Sequence, residues 1–501
     1  MTVFNKKIST YLSKSLFIRG LQCHKSLYLH KYHPDLKDKI SEEQEALFQS
    51  GVNVGIYAQK LFTGGVEIPF DDVSLSKQIQ RTMIEIENGA KVIYEAAFSY
   101  DNVFVKVDIL RKTDIGWEIY EVKGSTGVKD VYYDDVSIQY YVLKGSGLSV
   151  SKAFLVHINN QYVRQGEIEV DKLFTIQDLS NDVIEKQKSI KHEIDKMRRM
   201  LKSQEPNIDI GEHCTDPYDC DFCGYCWKHI PEDSVFSLKG IGPNKFDLYR
   251  QGIIRLEDIP RDILPQSQRI QLEGTLYKKN ITNKAAVKEF LETLWFPICF
   301  LDFETTFMVP IPLYDETRPY QQVPFQYSLH YLEKENAELQ HYEYLAFAHV
   351  DPRKELLENL LSKIPKDACV LVYNKTFEIG VLNDLAKWFP EYSDQIGNII
   401  QNIRDLMIPF RRKDIYCWEM EGSYSIKNVL PALVPKLSYN DMEISDGGMA
   451  SNAWLSMWEI ENLEETEKIR KALLEYCKLD TLAMVRIIEK FKTVCNSTKN
   501  N

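Results

Sequence analysis

The sequence predicts a multidomain α/β protein, and three observations predict it. Strand-like runs rich in β-branched and aromatic residues fall in two separate stretches, 91–123 and 297–373, and helical patterns follow each. The residues between them, 228–295, read as helical. The chain, at 501 residues, is also longer than one ordinary core accommodates. Boundaries near 230 and 295 divide it into 1–230, a helical connector 231–295, and 296–495.

Taken in order, residues 1–40 look helical, and "ALFQSGVNVGIYAQKLF" within 41–90 has apolar residues at helical spacing. "KVIYEAAF" (91–98), "NVFVKVDIL" (102–110) and "GWEIYEVK" (116–123) read as strands, with "RKTDI" as the turn between the last two. "DVYYDDVSIQYYVLKGSG" reads as a helix ended by glycine, "KAFLVHI" as a strand, and 178–203 as a long charged helix. The second stretch opens with "PICFLDFETT" (297–306). Strands near 325–332, 341–346 and 368–373 follow, and the helix "ETEKIRKALLEYCKLDTLAMVRIIEKF" closes it.

A composition 44% hydrophobic and 27% charged is that of a globular chain with plenty to bury. No run of about 18 apolar residues suggests a membrane span, and "MTVFNKKISTYLSKSLF" lacks the apolar core of a signal peptide. A cytoplasmic protein with no membrane partner is expected. The net charge of −12 argues against sticking to nucleic acid over the whole surface but leaves room for a basic groove. Carboxylate-rich metal sites would themselves add negative charge. Ten cysteines in such a chain do not read as a disulfide framework. Cys299, Cys369, Cys417, Cys477 and Cys495 lie in apolar surroundings and read as ordinary buried thiols.

Asp108 lies on one strand, and Glu121 and Lys123 end the next. Side chains two apart on a strand share a face, so Glu121 and Lys123 point the same way and Asp108 can lie beside them. Two carboxylates so placed suit Mg²⁺ or Mn²⁺, and a lysine alongside can position a water or stabilise phosphate charge. For E-x-K alone, a solvated hairpin with surface ion pairs is the commoner reading. The whole pattern, D-(x)n-E-x-K on consecutive strands followed by a helix with Gln139-Tyr140, resembles the PD-(D/E)XK nucleases of the RecB type. The resemblance implies Asp108 and Glu121 as metal ligands, Lys123 as the catalytic lysine and Gln139 as its helix-borne support. Glu95, on the strand before, would be a further metal-site acid. One departure is the lack of any histidine in 41–94, where many relatives place a metal ligand.

"EHCTDPYDCDFCGYCW" (212–227) places Cys214, Cys220, Cys223 and Cys226 in one short stretch. These four alone could hold a structural Zn²⁺, although zinc sites usually pair knuckles across a longer loop. Several RecB-like nucleases join one early cysteine to three after the nuclease core around a [4Fe–4S] cluster, which needs four thiolates. That resemblance implies Cys23, Cys214, Cys220 and Cys226 as ligands, with Cys223 surplus. A C-x2-C-x2-C choice would use Cys223 and spare Cys214. In the connector, Gly240-Ile241-Gly242 with Lys239 and Lys245 fits a phosphate-binding hairpin, and equally a linker with glycine turns.

In "CFLDFETT", Asp302 and Glu304 share one face of an apolar strand, an expensive burial without a cation. "VLVYNKTFEIGVL" supplies Asn374 and Glu378 where a strand meets a helix. "LLEYCKLDTLAM" puts Tyr476 and Asp480 four apart on one helix face. Together these resemble the motifs of DEDDy 3′–5′ exonucleases, which have an RNase H-like fold. The resemblance implies that Asp302, Glu304, Glu378 and Asp480 bind two Mg²⁺ or Mn²⁺ ions and that Tyr476 orients the attacking water. Glu475 stands where the DEDDh subclass needs histidine, and Glu378 where aspartate is common. Asp405 and Lys427 lie between the second and third motifs and suit structure or substrate contact.

The chain as a whole resembles a bacterial family that joins a RecB-like, cysteine-bearing nuclease to a DEDDy exonuclease. The expected function is metal-dependent hydrolysis of DNA, with 3′–5′ exonuclease activity in the C-terminal half and a second site in the N-terminal half. The alternatives are a nucleic-acid-binding scaffold of a repair or defence complex with one site inactive, or a nuclease acting on RNA.

Overall fold

The computed structural model describes residues 10–40, 42–69 and 74–496, with the backbone alone for 42–50. The chain forms two compact units, Met1–His229 with Met308–Tyr320 and Ile230–Phe307 with Gln321–Asn501.

In the first unit the strands are β1 (Leu12–Ser13), β2 (Val66–Glu67), β3 (Val92–Tyr100), β4 (Val103–Thr113), β5 (Gly116–Lys123), β6 (Val150–Ile158) and β7 (Phe174–Asp178). They form one sheet ordered β2-β3-β4-β5-β6-β7, with β1 parallel to β4 off this path. β3, β4 and β5 are an antiparallel meander, whereas β5 and β6 are parallel. A parallel pair needs a crossover, which α5 (Asp130–Gly145) provides. The other main helices are α1 (Lys14–Gln22), α2 (His24–Tyr32), α3 (Glu42–Gln59), α4 (Leu75–Glu87) and α6 (Ser180–Leu201). Val103, Val105 and Ile119 of the sheet share a core with Val136 and Leu143 of α5 and Ile190 and Ile194 of α6. β4 runs three residues past the expected end at 110, because Arg111, Lys112 and Thr113 still pair with β5.

The second unit contains β8 (Ile281–Thr282), β9 (Ile298–Thr305), β10 (Pro324–Leu332), β11 (Gln340–Leu345), β12 (Cys369–Val372), β13 (Ile403–Asp405) and β14 (Ile415–Tyr416). Five of them form a sheet ordered β11-β10-β9-β12-β13. β9, β10 and β11 are antiparallel neighbours, while β12 and β13 run parallel to β9. Its helices include α7 (Lys375–Trp388), α8 (Ile426–Leu433), α9 (Gly447–Ser456) and α10 (Leu463–Asn496). β9 is central and buried on both faces. Ile298 and Phe300 pack with Met484, Ile487 and Phe491 of α10, whereas Cys299, Leu301 and Phe303 pack with Leu382 and Leu385 of α7.

One division between the units falls at 229/230. Residues 231–295 cluster with the second unit, although Val235, Leu238, Leu248, Leu256, Ile259, Leu264 and Leu272 form a small core of their own. β8 ties this segment to β14 in an antiparallel pair, and a two-residue strand is too short to show a period. Residues 308–320 cluster with the first unit, where the Arg164 guanidinium donates to the Pro312 and Leu313 carbonyls at 3.0 and 2.6 Å. Backbone carbonyls carry no sequence signal. Among the described residues, no helix is long and apolar enough to cross a membrane.

Candidate functional site

The even-numbered face of β9 carries Ile298 and Phe300 into the core against α10, and Asp302 and Glu304 continue that face. α10 matches the change from apolar to polar. Its later turns supply Met484, Ile487 and Phe491, and its earlier ones Tyr476, Cys477 and Asp480. Ligand atoms of Asp302, Glu304 and Cys477 lie within 4.8 Å of one another. The Cys477 thiol is 3.6 Å from Asp302 Oδ2, so this cysteine is part of the carboxylate cluster as well as of the core.

Glu378 enters from the first turn of α7 and is 0% exposed. Among the described residues no side chain hydrogen-bonds either carboxylate oxygen, and the Phe303 N–H is the backbone group that favours the charge. Burial, then Asp302 and Glu304, hold its carboxyl well above the ordinary range. Burial and Asp480 do the same to Asp302, and burial, Asp302 and Asp480 to Glu304. Burial pushes Asp480 up to about 6, against the Tyr439 hydroxyl that donates to its Oδ1 at 2.7 Å. Buried carboxylates gathered this way stay protonated unless a cation favours their ionised form. The donor set is all oxygen apart from Cys477, which suits Mg²⁺ or Mn²⁺. Burial and Asp480 raise the Tyr476 hydroxyl well above its ordinary range, and this hydroxyl in turn favours the Asp480 charge.

Asp405 has a different task. Its Oδ1 accepts from the backbone N–H groups of Asn374, at 3.1 Å, and Met407, at 3.0 Å. It thereby pins the corner at which Asn374 adopts φ +79 and α7 begins.

These shifts set a pH dependence for the metal-free protein. A carboxyl whose folded pKa is raised binds protons better folded than unfolded. Its contribution is full below the unfolded pKa and lost as pH rises through the folded one. For Asp480 the window runs from the ordinary carboxylate range up to about 6, and Asp302, Glu304 and Glu378 act in the same direction. Thermal unfolding in EDTA is therefore expected to show a less stable protein at about pH 8 than at about pH 5.5, with Mn²⁺ restoring stability mainly at the higher pH. Equal EDTA transitions at both pH values, unmoved by Mn²⁺, would count against the cluster as a cation site.

In the first unit, the register that pairs Ile109 with both Tyr94 and Tyr120 sets Asp108 between Glu95 and Glu121. Asp108 Oδ2 accepts from the Val122 N–H at 2.7 Å. Glu121, 1% exposed, accepts from Lys14 Nζ and Lys123 Nζ, each at 2.7 Å, and from Gln139 Nε2 at 2.7 Å. Lys123 also bonds Asp135 Oδ2 at 2.5 Å, and Lys14 stands 3.6 Å from Asp135 Oδ1. Burial and Glu121 push the Asp108 carboxyl up to about 7. Burial acts on Glu121 too, but Lys123 and Lys14 outweigh it and hold that carboxyl below the ordinary range. Glu95 is taken up by Lys106 at 2.7 Å and touches the site only through its charge on Asp108.

Sequence reasoning missed Lys14 and Asp135. Asp135 had a signal, since it lies one turn before Gln139 on α5. Lys14 had none, because pairing of β1 with β4 brings it from the other end of the unit.

Cys23 breaks the chain between α1 and α2 in extended backbone. Cys23, Cys214, Cys220, Cys223 and Cys226 line one cavity, together with Ser26, His213 and Phe222. The late cysteine loop is held against the first helices at several points. Arg19 grips Asp221 with two bonds of 2.5 and 3.0 Å, Gln22 donates to the His213 and Tyr218 carbonyls, and Asp38 accepts from the Gly224 N–H. Burial and the neighbouring cysteines push Cys223 up to about 12, and burial raises Cys226 to about 11 against the pull of Lys25. Thiolates are the ligand type that zinc and iron–sulfur clusters take, but among the described residues no three of these sulfurs lie within 4.8 Å of one another. In the connector, Gly240 adopts φ +80 and Ile241 is 95% exposed, so the hairpin tip is open to solvent.

A family profile for DUF2779, a domain of unknown function, matches residues 299–425. That span takes in Asp302, Glu304 and Glu378 and ends before Tyr476 and Asp480. The chain is also 27% identical over 173 residues, 30% of its length, to "Uncharacterized protein UU173" of Ureaplasma parvum serovar 3. The match covers 25% of that relative.

Proposed function

We propose that the protein is a metal-dependent nuclease whose second unit trims DNA from the 3′ end. The observation that carries this reading is Glu378, a fully buried carboxylate that has no ion-pair partner among the described residues and lies in the company of Asp302, Glu304 and Asp480. A sheet ordered β11-β10-β9-β12-β13, with only the last two strands parallel to β9, supports an RNase H-like fold for this unit. When bound, two divalent ions would stabilise the attacking and leaving oxygens of an in-line displacement. Asp302, Glu304, Glu378 and Asp480 would hold them. Tyr476 orients the water, and Tyr439 fixes Asp480.

For the first unit we propose a RecB-like PD-(D/E)XK site, supported by the β3-β4-β5 meander, the α5 crossover and the convergence of Asp108, Glu121, Lys123 and Gln139. In it Asp108 and Glu121 would hold Mg²⁺ or Mn²⁺. For the cysteine cavity we propose a [4Fe–4S] cluster on Cys23, Cys214, Cys220 and Cys226, in a structural role, supported by the thiols that line it. A second reading, of a first unit that binds nucleic acid without cutting, is favoured by Lys14. Together with Lys123, it already neutralises Glu121.

The test uses single-stranded DNA labelled at the 5′ end or the 3′ end, with Mn²⁺. Wild type and Glu121→Ala are expected to shorten the 5′-labelled strand stepwise from its 3′ end, and Asp302→Ala to lose this ladder by at least about 100-fold. Cutting left in Asp302→Ala and lost in the double variant would belong to the first unit. Wild type that leaves both labels intact, on DNA and on RNA alike, would sink the nuclease reading.

A further inference from the structure

Lys427 has no place in the three exonuclease motifs, yet it lies over the site they form. It is the second residue of α8, which packs on α10, and its Nζ stands 5.6 Å from the centre of the Tyr476 ring. The chain entering α8 is anchored beside the second motif, because the Tyr373 hydroxyl donates to the Tyr424 carbonyl at 2.6 Å. Tyr373 immediately precedes Asn374. Helix stability does not explain a lysine here, since a cation in the first turn opposes the helix dipole. Lys427 forms no ion pair among the described residues, although its field reaches Asp302, Glu304 and Asp480.

We propose that Lys427 is a catalytic residue of the second unit, its ammonium contacting a non-bridging oxygen of the scissile phosphodiester. This rests on the exonuclease reading above. Charge arithmetic supports it. Four carboxylates and two divalent ions sum to zero, leaving nothing to balance the negative phosphodiester. As water attacks phosphorus and the bond to the departing 3′ oxygen breaks, the water gives up a proton to solvent, the 3′ oxygen takes one from solvent, and negative charge builds on the non-bridging oxygens. A cation kept out of ion pairs and held beside Tyr476 answers that charge where it develops. A ring face holds an ammonium by cation–π attraction while leaving its N–H groups free to donate.

The test compares wild type, Lys427→Met, which keeps the aliphatic stem, Lys427→Arg, which keeps the charge, and Asp302→Ala. Each is assayed with Mn²⁺ on 5′-labelled single-stranded DNA, and its thermal shift with Mn²⁺ is recorded. The expected result is a fall in kcat of about 100- to 1,000-fold for Lys427→Met with little change in KM. Lys427→Arg should regain part of the loss, and the Mn²⁺ shift should remain in both. Wild-type kcat in Lys427→Met overturns the inference and leaves the exonuclease reading standing. Loss of the Mn²⁺ shift in Lys427→Met also overturns it, making Lys427 part of metal assembly. If wild type shows no Asp302-dependent hydrolysis, the reading of the site fails and this inference with it.

Discussion

Glu378→Gln is expected to stabilise the metal-free protein while abolishing 3′ trimming. In the folded chain this carboxylate is 0% exposed, and among the described residues the Phe303 N–H is the group that favours its charge, with no cation paired to it. Asp302 and Glu304 raise the cost of its charge further. An unsatisfied buried polar group costs about 1–3 kcal/mol, more when charged, and glutamine removes the charge at constant shape. In EDTA near pH 8 the variant should unfold at a higher temperature than wild type, by a few degrees for each kcal/mol in a unit of this size. In Mn²⁺ the order should reverse, because wild type alone gains the full binding energy of the ion. Trimming should fall by at least about 100-fold. A Glu378→Gln protein less stable than wild type in EDTA would mean that its carboxylate is satisfied in a way the structure does not contain.

Cys23→Ser is expected to have the second large effect. Cys23 and the late cysteines lie far apart in sequence but line one cavity. A group bound by both closes the chain over most of the first unit. By the scale of a cross-link spanning a hundred residues or more, that closure contributes about 5 kcal/mol. On the iron–sulfur reading, anaerobically purified wild type should be brown and carry iron, and Cys23→Ser should be colourless with a lower unfolding temperature for the first unit. Stoichiometric zinc in a colourless wild type, unchanged in Cys23→Ser, would instead assign the site to the four late cysteines. Cys223→Ser separates the two ligand choices, since the cluster should survive it if Cys223 is surplus.

Some of this was legible because local patterns carried it. Alternation along "ICFLDFET" put Asp302 and Glu304 on one face, and helical spacing did the same for Tyr476 and Asp480. Both pairs lie where that periodicity requires. The strands around Asp108 and Glu121 were equally readable, apart from the three residues by which β4 outran its expected end. β13 and β14 went unread because strands of three and two residues are too short to show a period. Cys477 read as a core thiol, and it is buried, but its contact with Asp302 comes from the packing of α10 on β9.

The sequence by itself determined which residue types could do the chemistry, on which kind of element, and on which face. Periodicities of two and 3.6 are properties of the local backbone. Only the tertiary structure decided the company those residues keep. The β1–β4 pairing placed Lys14 on Glu121, and the packing of α8 on α10 placed Lys427 over Tyr476. The grip of the first helices on residues 213–224 placed Cys23 among the late cysteines. Each of these joins residues distant in sequence, so no local rule could have foretold it. What selects them is the burial of the surrounding apolar faces, which is summed over the whole unit.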